Sequence, residues 1–324
     1  MVIWVILFDE DFLTMTFNRS FTRFAPLLAC GSLLLAVGLF RAQSQQNEDE
    51  RDLAPSGQGI GTRHHYGRQS GRFGPARVGK GPGGNGISYH GGPLILNGTN
   101  VHYIWYGDWS NNNAEPILEE LARNIGGSPY FNINTTYYDG SANHVANAVN
   151  FLGSSRDKYS QGTALSDSGV QAVVAAQNPT DTNGVYFVLT SADVNETSGF
   201  CTNYCGWHTS ARINGLDIKF AFIGNPDRCP NACAAQTTSP NGNAGADGMA
   251  SIIAHEMEEA TTDPDLNAWY DQRGEENADK CAWTFGQTYT AGNGSLYNMT
   301  LGSRQFLIQR NWVNANGGYC AVSY

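Results

Sequence analysis

Cysteine placement constrains this chain more tightly than any other feature. Six of its seven cysteines fall late in the sequence, as two C-x-x-x-C pairs, Cys201/Cys205 and Cys229/Cys233, followed by Cys281 and Cys320. An even set in an exported chain implies disulfides, which six cysteines can form in fifteen ways. A structural zinc held by the two C-x-x-x-C pairs is the competing arrangement, and export favours the disulfides. A fold so stapled has no thiol left over for nucleophilic chemistry.

Export itself is read from the N-terminus. An apolar run from Phe24 to Phe40 follows Arg19 and Arg23 and ends near Ala42-Gln-Ser44, a small-x-small cleavage pattern. Residues 1–44 are therefore expected to be a signal peptide that carries Cys30 away. Met15 is a candidate true start, because residues 1–14 make a poor basic n-region. An uncleaved anchor is the alternative; no later segment is apolar enough to cross a bilayer, so no stable membrane span is expected after cleavage. Residues 45–88 are rich in Gly and Arg and have too few large apolar side chains to offset their ordering entropy, so they read as a disordered linker. A net charge of −10 and a pI near 5.1 argue against a nucleic-acid partner, which needs a basic face. The expected location is extracellular: cell wall, apoplast or periplasm, according to the source.

From Tyr89 onward the pattern is that of one folded domain, residues 89–324. Strands are expected at Val101–Gly107, Val185–Thr190 and Leu216–Ile223, with a short one at Gln305–Gln309. Helices are expected at Glu115–Ile125, Ala142–Leu152, Asp167–Gln177 and Gly248–Thr261. Strands interleaved with helices place the domain in the α+β or α/β class.

The last of these helices carries His255-Glu-Met-Glu-Glu259. At 100° per residue, Met249, Ile253, Met257 and Ala260 share one face, while His255 and Glu259 lie one turn apart on another. An imidazole and a carboxylate so spaced can hold one metal ion, leaving Glu256 free as general base on a bound water. That is the logic of the H-E-x-x-H zinc helix with its second His replaced by Glu. The plain alternative is a solvated polar face on an amphipathic helix. Downstream acids supply a possible third ligand: if the chain turns back at Asp263-Pro264, Glu276 or Asp279 can approach the helix, as the distal acid does in gluzincins, with Cys281 pinning the loop. A zincin-like scaffold is one option this arrangement allows. The ion expected is a single divalent one, Zn²⁺ in preference to Ca²⁺ or Mn²⁺. His208 reads as an accessory ligand or a buried hydrogen-bonding histidine, and His90 and His102 as structural. No G-x-S-x-G elbow, P-loop or dinucleotide fingerprint is present.

Several blocks give the chain a family resemblance. Tyr89-His-Gly-Gly-Pro93, Val101-His-Tyr-Ile-Trp-Tyr-Gly-Asp-Trp109, Gly199-Phe-Cys-Thr-Asn-Tyr-Cys-Gly206, Ile223-Gly-Asn-Pro-Asp-Arg-Cys-Pro-Asn-Ala-Cys233 and Pro240-Asn-Gly-Asn-Ala-Gly-Ala-Asp-Gly-Met249 appear in an order that resembles the EXORDIUM (phosphate-induced protein 1) family. The resemblance implies a secreted cell-wall or apoplastic protein and brings no firm biochemical activity. In one place the chain departs from the plant pattern: an apolar helix leading into Thr-Asn-Pro is replaced by His255-Glu-Met-Glu-Glu259 leading into Thr262-Asp-Pro264, which is similar to microbial relatives. Two functions follow as expectations. The first is a secreted metal-dependent hydrolase, a peptidase by preference, with Glu256 as base, His255 and Glu259 as ligands and Glu276 or Asp279 completing the set. The second is a non-catalytic cell-wall binding or signalling protein with at most a structural ion. Its partner would be an extracellular peptide or a cell-wall glycan; Trp105, Trp109, Trp207, Trp269 and Trp283 could stack on a sugar, with core packing the expected fate of most of them.

Overall fold

The computed structural model describes residues 86–324. The expected signal peptide and nearly all of the expected linker lie outside the described residues. Residues 87–89 already belong to the fold, because Ile87 is buried and Ser88–Tyr89 pairs antiparallel with Trp269–Tyr270.

The domain has a mixed α+β fold around a five-stranded sheet. Its strands are β1 (Thr99–Tyr106), β2 (Val149–Asp157), β3 (Gly184–Thr190), β4 (Gly206–Ile213) and β5 (Leu216–Ile223), in the spatial order β2-β1-β3-β5-β4. All neighbours are parallel except β4, an edge strand that runs antiparallel to β5. Parallel strands are covered on both faces, which explains why β3 reads as an unbroken apolar run and is buried at every position.

Three helices cover the sheet: α1 (Ala114–Asn124), α2 (Asp167–Ala176) and α3 (Ala244–Thr262). Helix α2 starts where Ser166 Oγ accepts the Gly169 amide at 3.1 Å, and α3 where Asn243 Oδ1 accepts the Ala246 amide at 2.9 Å. The β1-to-β2 and β2-to-β3 crossovers run in opposite directions along the sheet, so right-handed connection puts α1 and α2 on opposite faces. Helices α1 and α3 pack on each other, and α3 lies along β4 and β5.

Two expectations about these elements need correction. The segment 142–152 is not a helix: its second half opens β2, whose side chains alternate in burial, with Phe151 turned in against Tyr103 and Leu152 56% exposed. Spacing of Val145, Val149 and Leu152 mimics a helical face, but a period of two decides the outcome once β1 offers its edge. Strand β4 was not anticipated at all. It closes a hairpin with β5 through Asn214-Gly215, both at positive φ, the two-residue turn that matches strand twist.

The cysteines pair as Cys201–Cys229, Cys205–Cys233 and Cys281–Cys320, with Cα separations of 5.8, 5.5 and 5.6 Å. The first two run side by side, tying the loop before β4 to the segment before α3. The expected strand near Gln305 is Arg304–Phe306, in a hairpin with Met299–Leu301. Of the tryptophans proposed to stack on a glycan, Trp105, Trp109, Trp207 and Trp269 are buried in the two apolar cores and offer no face to a sugar. Only Trp283 keeps partial exposure. Among the described residues no helix is long and apolar enough to cross a membrane.

Candidate metal centre

Helix α3 is buried on every side along most of its length, so its polar face is not a solvated one. His255, Glu256, Glu258 and Glu259 are each at most 1% exposed. The edge strand β4 lies against Ile252, Glu256 and Glu259, and residues of the chain that follows the helix lie against His255 and Glu259.

That chain returns by a tight turn. The Asp263 amide donates to Glu259 O, and Asp263 Oδ1 accepts the amides of Asn267 and Ala268, both at 2.6 Å. After Trp269–Tyr270 joins the N-terminal strand, Asp271 Oδ1 accepts the Arg273 and Glu275 amides at 2.8 and 3.1 Å and reverses the chain again. Glu276 to Asp279 thereby come against α3, and the Cys281–Cys320 bridge ties down the next residues.

Two clusters result. His255 Nε2 lies 3.0 Å from Glu259 Oε1 and 3.4 Å from Asp279 Oδ1. His208, on β4, places Nδ1 3.4 Å from Glu256 Oε2 and 3.6 Å from Glu259 Oε2. Each triad keeps its donor atoms within 4.8 Å of one another, and Glu259 belongs to both. Of the two acids expected as third ligand, Asp279 joins His255 and Glu259. Glu276 instead sits behind the other histidine, with Oε1 3.6 Å from His208 Nε2.

These spacings can be set against metal chemistry. Two donors bonded to one zinc at about 2.0–2.2 Å lie about 3.4 Å apart across a tetrahedral angle. The separations of 3.0 to 3.6 Å in both triads match such an edge. They match direct hydrogen bonding less well: His255 Nε2, His208 Nδ1, Glu259 Oε2 and Glu276 Oε1 are buried and meet no hydrogen-bond geometry.

Electrostatics points the same way. Burial pushes the Glu276 and Glu258 carboxyls well above the usual carboxylate range, and pushes Glu256 up and Asp263 to about 6. Burial would also raise Glu259, but the imidazoles of His255 and His208 beside it outweigh that and hold it at about 2. Burial works against charging the two histidines, yet the surrounding carboxylates raise both well above the ordinary imidazole value. The nearby Lys280 is committed to Asp271 at 3.0 Å. Acids therefore outnumber basic groups in a dry site, a situation that a divalent cation relieves.

His90 and His102 take the structural places expected of them. His90 stacks on Tyr270 at 3.6 Å, and His102 pairs with Asp181 at 3.0 Å while stacking on Tyr186. Sequence reasoning missed Glu258, whose carboxylate meets Asn311; it placed the turn at Asp263 but not the capping role of that carboxylate, which accepts the Asn267 and Ala268 amides. The run of two glutamates after Met257 on a helix with an apolar face was the available signal for a second buried acid.

Comparison with known proteins places these blocks in a family. Residues 87–321 match the model described as the phosphate-induced protein 1 conserved region. Protein EXORDIUM-like 3 of Arabidopsis thaliana is 31% identical over 279 residues, covering 72% of this chain and 82% of the relative. Protein EXORDIUM-like 5 of the same plant is 32% identical over 283 residues, covering 72% and 77%. Protein PHOSPHATE-INDUCED 1 of Nicotiana tabacum is 27% identical over 217 residues, covering 57% and 67%. No solved structure gives a significant match. The chain belongs to the phosphate-induced protein 1 family, together with the EXORDIUM-like proteins it resembles.

Proposed function

We propose that this protein is a secreted, disulfide-stapled EXORDIUM-family domain organised around a divalent metal ion, zinc by preference, held by His255, Glu259 and Asp279. The observation that carries this reading is the meeting of those three side chains at donor spacings of 3.0 and 3.4 Å, in a site with more acids than bases. One imidazole and two carboxylates suit zinc, while calcium prefers an all-oxygen shell with more ligands. The ligands from α3 are closed off from solvent, and Asp279 alone is partly open, its side chain 16% exposed. An ion so enclosed serves the fold: it neutralises buried carboxylates and fastens the returning loop to the helix. The outward role is then binding or signalling at the cell surface or wall.

Hydrolysis is the second reading, and the position of Glu256 favours it. Its carboxylate belongs to the neighbouring cluster, beside His208 and the shared Glu259, and burial raises its proton affinity above that of an ordinary glutamate. The ion would polarise a carbonyl and acidify a water, and Glu256 would take the proton once an opening of the 263–281 segment admitted a peptide. Metal analysis of folded, chelator-washed and zinc-reconstituted protein tests the shared premise. Retention of zinc supports the metal centre and its absence overturns it. A screen of peptide and cell-wall glycan substrates then separates the readings: turnover abolished by Glu256→Gln selects the hydrolase, and inactivity with bound zinc selects the structural ion.

A further inference from the structure

We propose that Glu259 bridges two divalent ions, the second held by His208 Nδ1, Glu256 Oε2 and Glu259 Oε2. This deepens the reading of an ion at His255, Glu259 and Asp279, on which it rests.

The two oxygens of Glu259 are turned to different partners. Oε1 lies 3.0 Å from His255 Nε2 and accepts the Asp279 amide at 3.0 Å, while Oε2 lies 3.6 Å from His208 Nδ1. A carboxylate presenting one oxygen to each of two imidazoles has the arrangement of a bridge between metal ions.

His208 is also supported in the manner of a metal ligand. Its Nε2 lies 3.3 Å from the carbonyl oxygen of Asp263, which can only accept, and 3.6 Å from Glu276 Oε1. In the neutral imidazole the proton is therefore on Nε2, and Nδ1 turns its lone pair toward Glu256 and Glu259. Metal-bound histidines are oriented in this way, with the far N–H held by a carbonyl or carboxylate. His208 is 1% exposed and its Nδ1 has no hydrogen bond, so a lone pair and two carboxylate oxygens face one another in a dry pocket. A proton on Nδ1 would make only long ion pairs, to oxygens at 3.4 and 3.6 Å outside hydrogen-bond geometry. An ion with bonds of about 2.0–2.2 Å fits between the three atoms.

The acids are distributed to both ends of Glu259: Asp279 lies beside His255, and Glu256, Glu276 and the Asp263 carbonyl surround His208, so carboxylates outnumber imidazoles on each side of the proposed bridge. Glu256 is then held as a ligand of the second ion, which sets this arrangement against the hydrolytic reading that needs it free as a base.

Chelator-stripped wild-type protein, reconstituted with Zn²⁺ and measured for metal per folded chain, provides the test. Two ions per chain are expected, falling to one in His208→Ala and to one in His255→Ala, with neither retained in Glu259→Gln. Circular dichroism and gel filtration check that each variant folds. Because buried variants can fail that check, wild-type protein loaded with Mn²⁺ supplies an independent reading: exchange-coupled electron paramagnetic resonance is expected, and the hyperfine pattern of isolated Mn²⁺ would overturn the bridge. One zinc per wild-type chain, unchanged in His208→Ala, sinks the second ion and leaves the first standing. No zinc in wild-type protein removes both.

Discussion

The backbone amide of Asp279 donates to Glu259 Oε1, the same oxygen that lies 3.0 Å from His255 Nε2. The returning loop is thus fastened to α3 through the carboxylate that both triads share. If that junction is built for an ion, zinc should stabilise the whole domain, because it binds the folded state and finds no such site in the unfolded chain. Saturation at about a thousand times the dissociation constant adds about 4 kcal/mol. Thermal unfolding with zinc and with excess chelator should differ by several degrees, and equal midpoints would count against any ion here.

Loop position depends on the Cys281–Cys320 bridge, which closes a separation of 39 residues. Chain-entropy reasoning gives such a loop about 4 kcal/mol of stabilisation. The pair Cys281→Ser with Cys320→Ser should lose stability of that order and also bind zinc more weakly, because Asp279 sits two residues before the bridge. Replacing Cys201 and Cys229 in the same way should lower stability while leaving zinc affinity within about threefold. Chemical denaturation paired with zinc titration distinguishes the two bridges.

Gly206 shows how closely α3 rests on the edge strand. A Cβ there would stand 2.5 Å from Ile252 Cγ2, 2.9 Å from the Phe222 carbonyl oxygen and 3.2 Å from Glu256 Oε1. Both a neighbouring strand and the helix would have to give way, the overpacking that typically costs about 1–3 kcal/mol. Gly206→Ala should destabilise by that amount and lower zinc affinity by pushing Glu256 away from His208. Gly215→Ala, in the exposed hairpin turn, should cost stability through its positive φ without touching zinc binding.

How far the centre could be read in advance follows from where its residues lie. The helix, the turn at Asp263 and the approach of Asp279 were legible because they rest on local spacing: one helical turn from His255 to Glu259, a proline to end the helix, and a cysteine to hold what comes next. His208 could not be ranked because its strand was not recognised. A single imidazole between Trp207 and Thr209 has no meaning until the Asn214-Gly215 hairpin aligns Gly206–Ile213 beside β5. The mistaken helix at 142–152 had a related cause, since a short apolar run fits both periods and only the open edge of β1 decides between them. Burial of the acidic face was equally nonlocal: it depends on residues 263–281 folding back, and the helix alone carries no record of its cover.

Asp271 supplies a prediction in which pH separates the loop from the ion. The residue is 8% exposed, Oδ2 pairs with Lys280 Nζ at 3.0 Å, and Oδ1 accepts two amides that form the 271–275 turn. Burial by itself would raise the pKa of this group. The Lys280 charge, its hydrogen bond and the amides of Arg273 and Glu275 outweigh that effect and hold the group below the ordinary aspartate value. A folded-state pKa below the unfolded one means stability that is present above the unfolded value, about 3.9, and is lost as pH falls through the folded value. Asp271→Asn should therefore cost about 1–3 kcal/mol near neutral pH, the usual worth of hydrogen bonds to a charged group. The gap between wild type and variant should close progressively below about pH 4. Both proteins need excess chelator throughout, since acid also displaces metal and would add its own loss to the wild-type curve. Urea denaturation at a series of pH values gives the comparison. A difference that persists unchanged into strong acid would mean that Asp271 acts through packing, and that the pairing with Lys280 does not hold the turn that delivers Glu276 and Asp279 to the helix.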